Sequence, residues 1–309
     1  MSSLRRFLKF SLVAGLMLVV AVVATACGQS NSQASQKNQK ISIVTTTDFY
    51  GEVAKAVVGN KGTVKSIINK PSVDPHDYEP TTNVAKEVSK ADIAIANGIG
   101  YDPWMNKLAK NSDKLQYIKV GENIMGKKTG DNPHLWYNPA TMPKLANDLA
   151  KQLGKKQPKN KAYFKKNAQK YIASLKPVND EINQLKQKAA SAPNKAVYVS
   201  EPVFDYAIDA IGFKVGNEKF EQATENESDP SPKVVKEMQD GIKAKKIAFF
   251  VYNKQVDSKV VNNFVKLAQD NKVPVLKVTE TLPAKMDYKQ WMLSQYKDLN
   301  QILEQTAAK

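Results

Sequence analysis

The sequence predicts an α/β protein of two lobes, each a mostly parallel sheet covered by helices, joined by one long rigid helix. Three observations predict it. Short apolar runs alternate with amphipathic stretches from residue 41, the alternation stops between residues 158 and 190, and it restarts near residue 196. Strands separated by helical stretches form crossover units, which pair their strands in parallel. A chain of 309 residues has room for two such units. A composition of 42% hydrophobic and 25% charged residues is that of an ordinary globular protein, which excludes wholesale disorder, collagen and coiled coil.

Residues 1–26 read as an export leader. Arg5, Arg6 and Lys9 precede an apolar run over residues 12–24. At about 1.5 Å per residue, that run is too short for a hydrocarbon core about 30 Å thick. The leader ends Ala24-Thr25-Ala26-Cys27. It resembles a bacterial lipoprotein signal, in which Cys27 is lipidated, becomes the mature N-terminus and ties the chain to membrane lipid. Read instead as an ordinary A-x-A site, it releases a soluble protein with a free thiol. The chain's single cysteine lying at the cleavage point favours lipidation. Residues 27–40 are rich in Ser, Gln and Asn with almost no apolar side chain, and read as a flexible tether.

The first lobe spans residues 41–157, with strands at 41–46, 64–68, 92–96 and 115–120 and helices at 48–58, 82–90 and 139–153. Residues 158–190 form the connection. Phe164, Ala168, Tyr171, Leu175, Val178, Ile182, Leu185 and Ala189 advance by four and three alternately, one stripe of a helix that Pro177 bends. The second lobe spans residues 191–309. Its strands are at 197–200, 247–252 and 273–278, and its helices at 203–211, 232–244, 256–269 and 288–304. No internal repeat is specific enough to indicate duplication.

Charge and cysteine content exclude several function classes. Lys and Arg number 46 against 30 Asp and Glu, but the lysines are spread along the chain without interleaved aromatics, so no nucleic-acid partner is expected. One cysteine excludes a disulfide scaffold and any Cys-based zinc cluster.

The chain's only two histidines both follow proline after a predicted strand, His76 in Asp74-Pro75-His76-Asp77 and His134 in Asn132-Pro133-His134-Leu135. Glu201 follows the strand at 197–200 and Glu280 the strand at 273–278. Open α/β sheets bind ligands beyond the carboxyl ends of their strands. Two imidazoles and two carboxylates converging there from two lobes make a divalent-cation site in the interlobe cleft.

On these residues the chain resembles the metal-binding lipoproteins of manganese and zinc ABC transporters, the ZnuA-like and PsaA-like solute-binding proteins. The resemblance runs from about residue 41 to the C-terminus. It is carried by Val73-Asp74-Pro75-His76-Asp77-Tyr78-Glu79-Pro80, Pro133-His134-Leu135-Trp136-Tyr137-Asn138-Pro139 and Ser200-Glu201-Pro202-Val203-Phe204-Asp205-Tyr206. Asp229-Pro230-Ser231-Pro232, Phe250-Val251-Tyr252-Asn253 and Val278-Thr279-Glu280-Thr281 complete it. The resemblance implies two lobes on a long helix, no enzymatic activity, and His76, His134, Glu201 and Glu280 as the metal ligands. The family's fourth ligand is usually Asp, so Glu280 departs from the pattern and Asp287 is the alternative. The acidic stretch 218–229 competes with Glu201 for the third position.

The implied function is capture of a divalent metal outside the cytoplasm, on the outer face of the cytoplasmic membrane, for delivery to an ABC permease. Manganese (Mn²⁺) is expected as cargo over zinc (Zn²⁺), because two carboxylates supply hard oxygen donors and no third histidine exists. Metal affinity is expected to fall below about pH 6, where protons compete for the imidazoles. The protein is expected to act as a monomer. A metal-dependent hydrolase is the rival from another class, but the chain contains no HExxH, GxSxG or phosphate loop. A surface adhesin is a second rival, resting only on location and charge.

Overall fold

The computed structural model describes residues 40–255 and 258–307. The leader, Cys27 and all of the tether but Lys40 therefore lie outside the described residues, as do the first two residues of the helix expected at 256–269. Among the described residues no helix is long and apolar enough to cross a membrane.

The first lobe runs β1 (Ile41–Thr47), α1 (Asp48–Val58), β2 (Gly62–Ile68), α2 (Thr82–Lys90), β3 (Ile93–Ala96), α3 (Pro103–Ala109), β4 (Gln116–Lys119) and α4 (Thr141–Lys156). The second runs β5 (Ala196–Val199), α7 (Asp205–Ile211), β6 (Lys214–Val215), α8 (Glu218–Glu225), α9 (Pro232–Lys243), β7 (Phe250–Asn253), α10 (Lys259–Asp270), β8 (Val275–Val278) and α11 (Tyr288–Ala307). The sheets are ordered β2-β1-β3-β4 and β6-β5-β7-β8, and every pairing is parallel. Both lobes thus share one topology although their sequences show no repeat. In each, the chain reverses its direction of spread at the first strand, which opens a crevice at the carboxyl ends.

The connection is helical throughout but is not one helix. It divides at Leu175 into α5 (Lys161–Ser174) and α6 (Lys176–Ser191). Pro177 has no N–H to offer the carbonyl four residues back, so the helical ladder cannot continue through it. The division also separates two jobs. α5 packs on α1 and α4 of the first lobe, whereas α6 packs on α7 and α11 of the second. The expected apolar stripe is the buried face, from Phe164 to Ala189, with Tyr171 half-buried.

The central strands β1, β3 and β7 bury both faces, as parallel strands covered by helices do, whereas the edge strands β2, β6 and β8 leave one face partly exposed. In the first sheet, Ile93 and Ile95 face one core while Ala94 and Ala96 face another with Trp104 and Met105. The inner core is common to the two lobes: Ile43 and Ile95 join Val197, Val199, Leu276 and Trp291 in one continuous cluster. Each fully buried Leu, Ile or Phe there is worth about 1.5–3 kcal/mol. Separating the lobes would expose that cluster, so the lobes share one core beneath the cleft. Polar ties reinforce it. Tyr288 Oη donates to Trp136 O at 2.7 Å, Glu52 accepts the Tyr288 N–H at 2.9 Å, and Thr281 Oγ1 donates to Pro71 O at 2.9 Å.

Candidate metal centre

Both histidines sit in the same local frame, written in three residues. Asp74 Oδ1 accepts the backbone N–H of His76 at 2.8 Å, and Asn132 Oδ1 accepts that of His134 at 2.9 Å. An Asx side chain bonded to the backbone two residues on is a self-contained turn. The proline between them fixes φ and has no N–H to compete for the acceptor. One such bracket follows β2 and the other follows β4.

The two rings meet at Glu280, two residues past β8. Glu280 Oε1 lies 3.8 Å from His76 Nε2 and 3.8 Å from His134 Nε2. One donor atom from each of the three residues lies within 4.8 Å of the others. An ion about 2.0–2.2 Å from each donor holds them about 3–3.6 Å apart, so a modest contraction would bring all three onto one ion. His134 forms the floor, only 1% exposed, and its Nε2 has no hydrogen-bond partner. A buried polar atom without a partner calls for an explanation, and an ion supplies one. Burial, reinforced by the neighbouring His76, holds His134 well below the usual imidazole range and therefore neutral, the form that ligates. His76 lies at the lip, its side chain 36% exposed, with its ring edge-on to Tyr101 at 4.6 Å. Burial lowers its pKa as well.

Tyr101 also braces Glu280, its Oη donating to Oε1 at 3.0 Å. Its position comes from a tight loop after β3, where Gly98, Ile99 and Gly100 all have positive φ (79°, 46° and 102°). Buried Asp102 organises that loop by accepting the N–H groups of Asn97 and Gly98 at 2.7 and 2.9 Å. A β-branched residue at φ 46° is strained, and such strain collects at binding sites.

Glu201 comes from the end of β5 and is 8% exposed. It lines the same cavity but stands outside the group of three, with Oε1 accepting from Asn253 Nδ2 at the end of β7. That cavity encloses about 750 Å³ and is walled by Asp74, His76, Glu201, Glu225, Glu227 and Glu280, with no lysine among its described lining. Crowding uncompensated carboxylates into a desolvated space favours their neutral forms. Burial and the Glu201 charge push Glu280 up to about 8, and burial pushes Glu201 up to about 7. Burial and Asp74 push Glu225 up to about 7. Such a site is poised for a cation, which would return all of them to the charged form.

A sequence profile described as zinc-uptake complex component A, periplasmic (ZnuA) matches residues 43–302, most of the chain. The chain belongs to this family. Among relatives, the manganese ABC transporter substrate-binding lipoprotein PsaA of Streptococcus anginosus is 28% identical over 84% of this chain and 86% of its own. The iron ABC transporter substrate-binding lipoprotein MtsA of Streptococcus pyogenes is 32% identical over 66% of this chain and 69% of its own. The solved structure of FpvC from P. aeruginosa with Ni²⁺ superposes with a TM-score of 0.72 at 21% identity, covering 87% of this chain and 98% of its own. The periplasmic zinc-binding protein TroA of Treponema pallidum gives 0.69 at 20%, covering 85% and 99%. Both establish the shared fold. As a ZnuA-family member the chain is a component of metal uptake and not an enzyme.

Within this ZnuA-family fold, Asp287 is neither among the three converging donors nor in the cavity lining. It is exposed, and its Oδ1 accepts the Gln290 N–H at 2.7 Å, capping α11. Glu201 and the acidic stretch 218–229 line one cavity: α8 and the turn after it add Glu225 and Glu227 to its wall. Sequence reasoning missed Tyr101, the role of Asn253, and Gln255, whose Oε1 accepts the N–H groups of Glu280 and Thr281 at 2.7 and 3.0 Å. It also missed Asn132, although the repeated Asx-Pro-His triplet was a legible signal.

Proposed function

We propose that this ZnuA-family protein is an extracytoplasmic lipoprotein that captures a divalent transition metal, manganese in preference to zinc, and delivers it to an ABC permease in the cytoplasmic membrane. The observation that carries this reading is the convergence of His76, His134 and Glu280 between the lobes, with one donor atom from each lying within 4.8 Å of the others. Glu201, across the same cavity, is the fourth ligand in this reading. Two nitrogens and two carboxylates that bind through one or both oxygens allow five or six coordination, which suits manganese better than the compact zinc tetrahedron. The chain has no third histidine to make a nitrogen-rich zinc shell. PsaA, named for manganese, and MtsA, named for iron, supply a parallel at comparable identity.

Zinc is expected to bind more tightly in vitro, since manganese stands lowest in the divalent affinity order at almost any such site. The deciding experiment is therefore cellular. Deleting the gene should reduce manganese accumulation, and added manganese should restore growth. Growth restored by zinc or iron alone, with manganese uptake unchanged, would remove manganese while leaving the receptor.

Anchoring through Cys27 belongs to the same proposal. Acyl chains contribute about 0.8 kcal/mol per buried CH₂, and two of them give stable attachment. Cys27→Ser should move the monomeric protein from the membrane fraction to the medium or leave it unprocessed. An unmodified Cys27 at the N-terminus of a freely soluble wild type would overturn the anchor.

A further inference from the structure

The side chain of Asn132 touches the histidine floor of the site and the opposite lobe at once. Its Oδ1 accepts the backbone N–H of His134 and faces His134 Nδ1, each at 2.9 Å. Its Nδ2 donates to Pro202 O at 2.7 Å, the residue after Glu201, and to Asp205 Oδ2 at 3.4 Å. The carbonyl of Asn132 accepts Tyr206 Oη at 2.8 Å.

These partners leave no choice of proton placement. A backbone N–H can only donate and a proline carbonyl can only accept, so the amide orientation of Asn132 is fixed. With Oδ1 an acceptor, the ring nitrogen facing it must carry the imidazole proton. His134 is therefore protonated at Nδ1, and its bare lone pair is on Nε2, the unpartnered atom 3.8 Å from Glu280. His76 has no equivalent. Its bracket residue Asp74 holds only the backbone N–H.

We propose that Asn132 is a positioning residue that sets the tautomer of His134 and ties this ligand to the lobe that carries Glu201. The proposal rests on His134 as a metal ligand. Outer partners of ligating histidines are worth about 10–100-fold in metal affinity. Here the partner is an amide, and its donor end adds what a carboxylate lacks, a bond across the cleft. The Asn132–Pro202 bond holds His134 against the segment that carries Glu201, so losing it should loosen this pair and shorten the metal's residence time.

Imidazole nitrogen NMR on metal-free protein tests the first half, and two histidines make the spectrum assignable. Wild type should show His134 as the Nδ1–H tautomer and His76 as a mixture. Asn132→Ala should lose the His134 pattern and bind Mn²⁺ about 10–100-fold more weakly. Asn132→Asp keeps the acceptor and loses the donor. It should retain the His134 pattern while releasing Mn²⁺ into excess chelator about tenfold faster, read from Trp136 beside the ring. Tyr206→Phe, which removes only the bond to the Asn132 backbone, should leave the pattern unchanged. An Nε2–H tautomer in wild type, an unaltered pattern in Asn132→Ala, or a lost pattern in Tyr206→Phe would overturn the orienting role. Wild-type release from Asn132→Asp would overturn the tie between lobes. The spectra need no metal, so they decide the orienting role even where a failure to bind Mn²⁺ sinks the receptor reading.

Discussion

Replacing His134 with alanine is expected to weaken divalent-metal binding about a thousandfold or more, beyond the 10–100-fold typical of losing an outer partner. The effect should exceed that of His76→Ala. His134 is buried, neutral and carries a lone pair with no other employment, whereas His76 is partly solvated. Metal-free stability should change little, since the variant exchanges a small cavity for the removal of an unsatisfied buried nitrogen. The readout is thermal unfolding with and without metal. Ligand at a thousand times its Kd stabilises a protein by about 4 kcal/mol. Wild type should gain that increment and His134→Ala should not. An equal gain in both would remove His134 from the site.

Metal affinity is expected to rise steeply between pH 6 and 8, a range set by carboxyl groups and not by the imidazoles. The sequence alone points to proton competition at histidine below about pH 6. The fold keeps that direction but moves the range up and assigns it to other groups, because burial pushes His134 and His76 down while it pushes Glu201 up to about 7 and Glu280 up to about 8. At pH 6 both acids hold protons that an incoming cation must displace. Two protons released per metal give about a hundredfold in affinity per pH unit below 7, and one gives about tenfold per unit between 7 and 8. Calorimetry in buffers of different ionisation enthalpy counts those protons. A flat affinity across this range would refute the raised carboxyl values.

The same shifts set the stability of the metal-free protein. An acid whose folded value lies above its unfolded value of 4.5 keeps its proton only in the folded state. Folded protein then binds more protons than unfolded, and stability falls as pH rises. The relative stabilisation is full below 4.5 and is lost as pH climbs through about 7 for Glu201 and about 8 for Glu280. Bound metal should flatten this decline.

Much of the fold was legible in one dimension because its signals are local. The helices at Asp48–Val58 and Thr82–Lys90 fall where apolar periodicity and end residues place them, and Thr81 caps the second by accepting the Val84 N–H. The Pro177 break was visible as a bend; where the helix divides was settled by packing, α5 on one lobe and α6 on the other. The elements that escaped were short. α3 is seven residues, β6 is two, and α8 begins in a charged stretch with little apolar content. Such segments owe their form to neighbours.

By itself the sequence determined the two sheets, the helical connection, and the two Pro-His pairs placed past strand ends. Backbone sterics and nearby hydrogen bonds decide these within a few residues. Only the tertiary structure decided that Glu280 and not Asp287 meets the histidines, that Glu225 and Glu227 join the wall, and that Tyr101 and Asn132 support the ligands. It also decided which groups hold protons. Those outcomes depend on distance and desolvation between residues up to 179 positions apart, such as Tyr101 and Glu280. Spacing along a chain carries no information about either quantity.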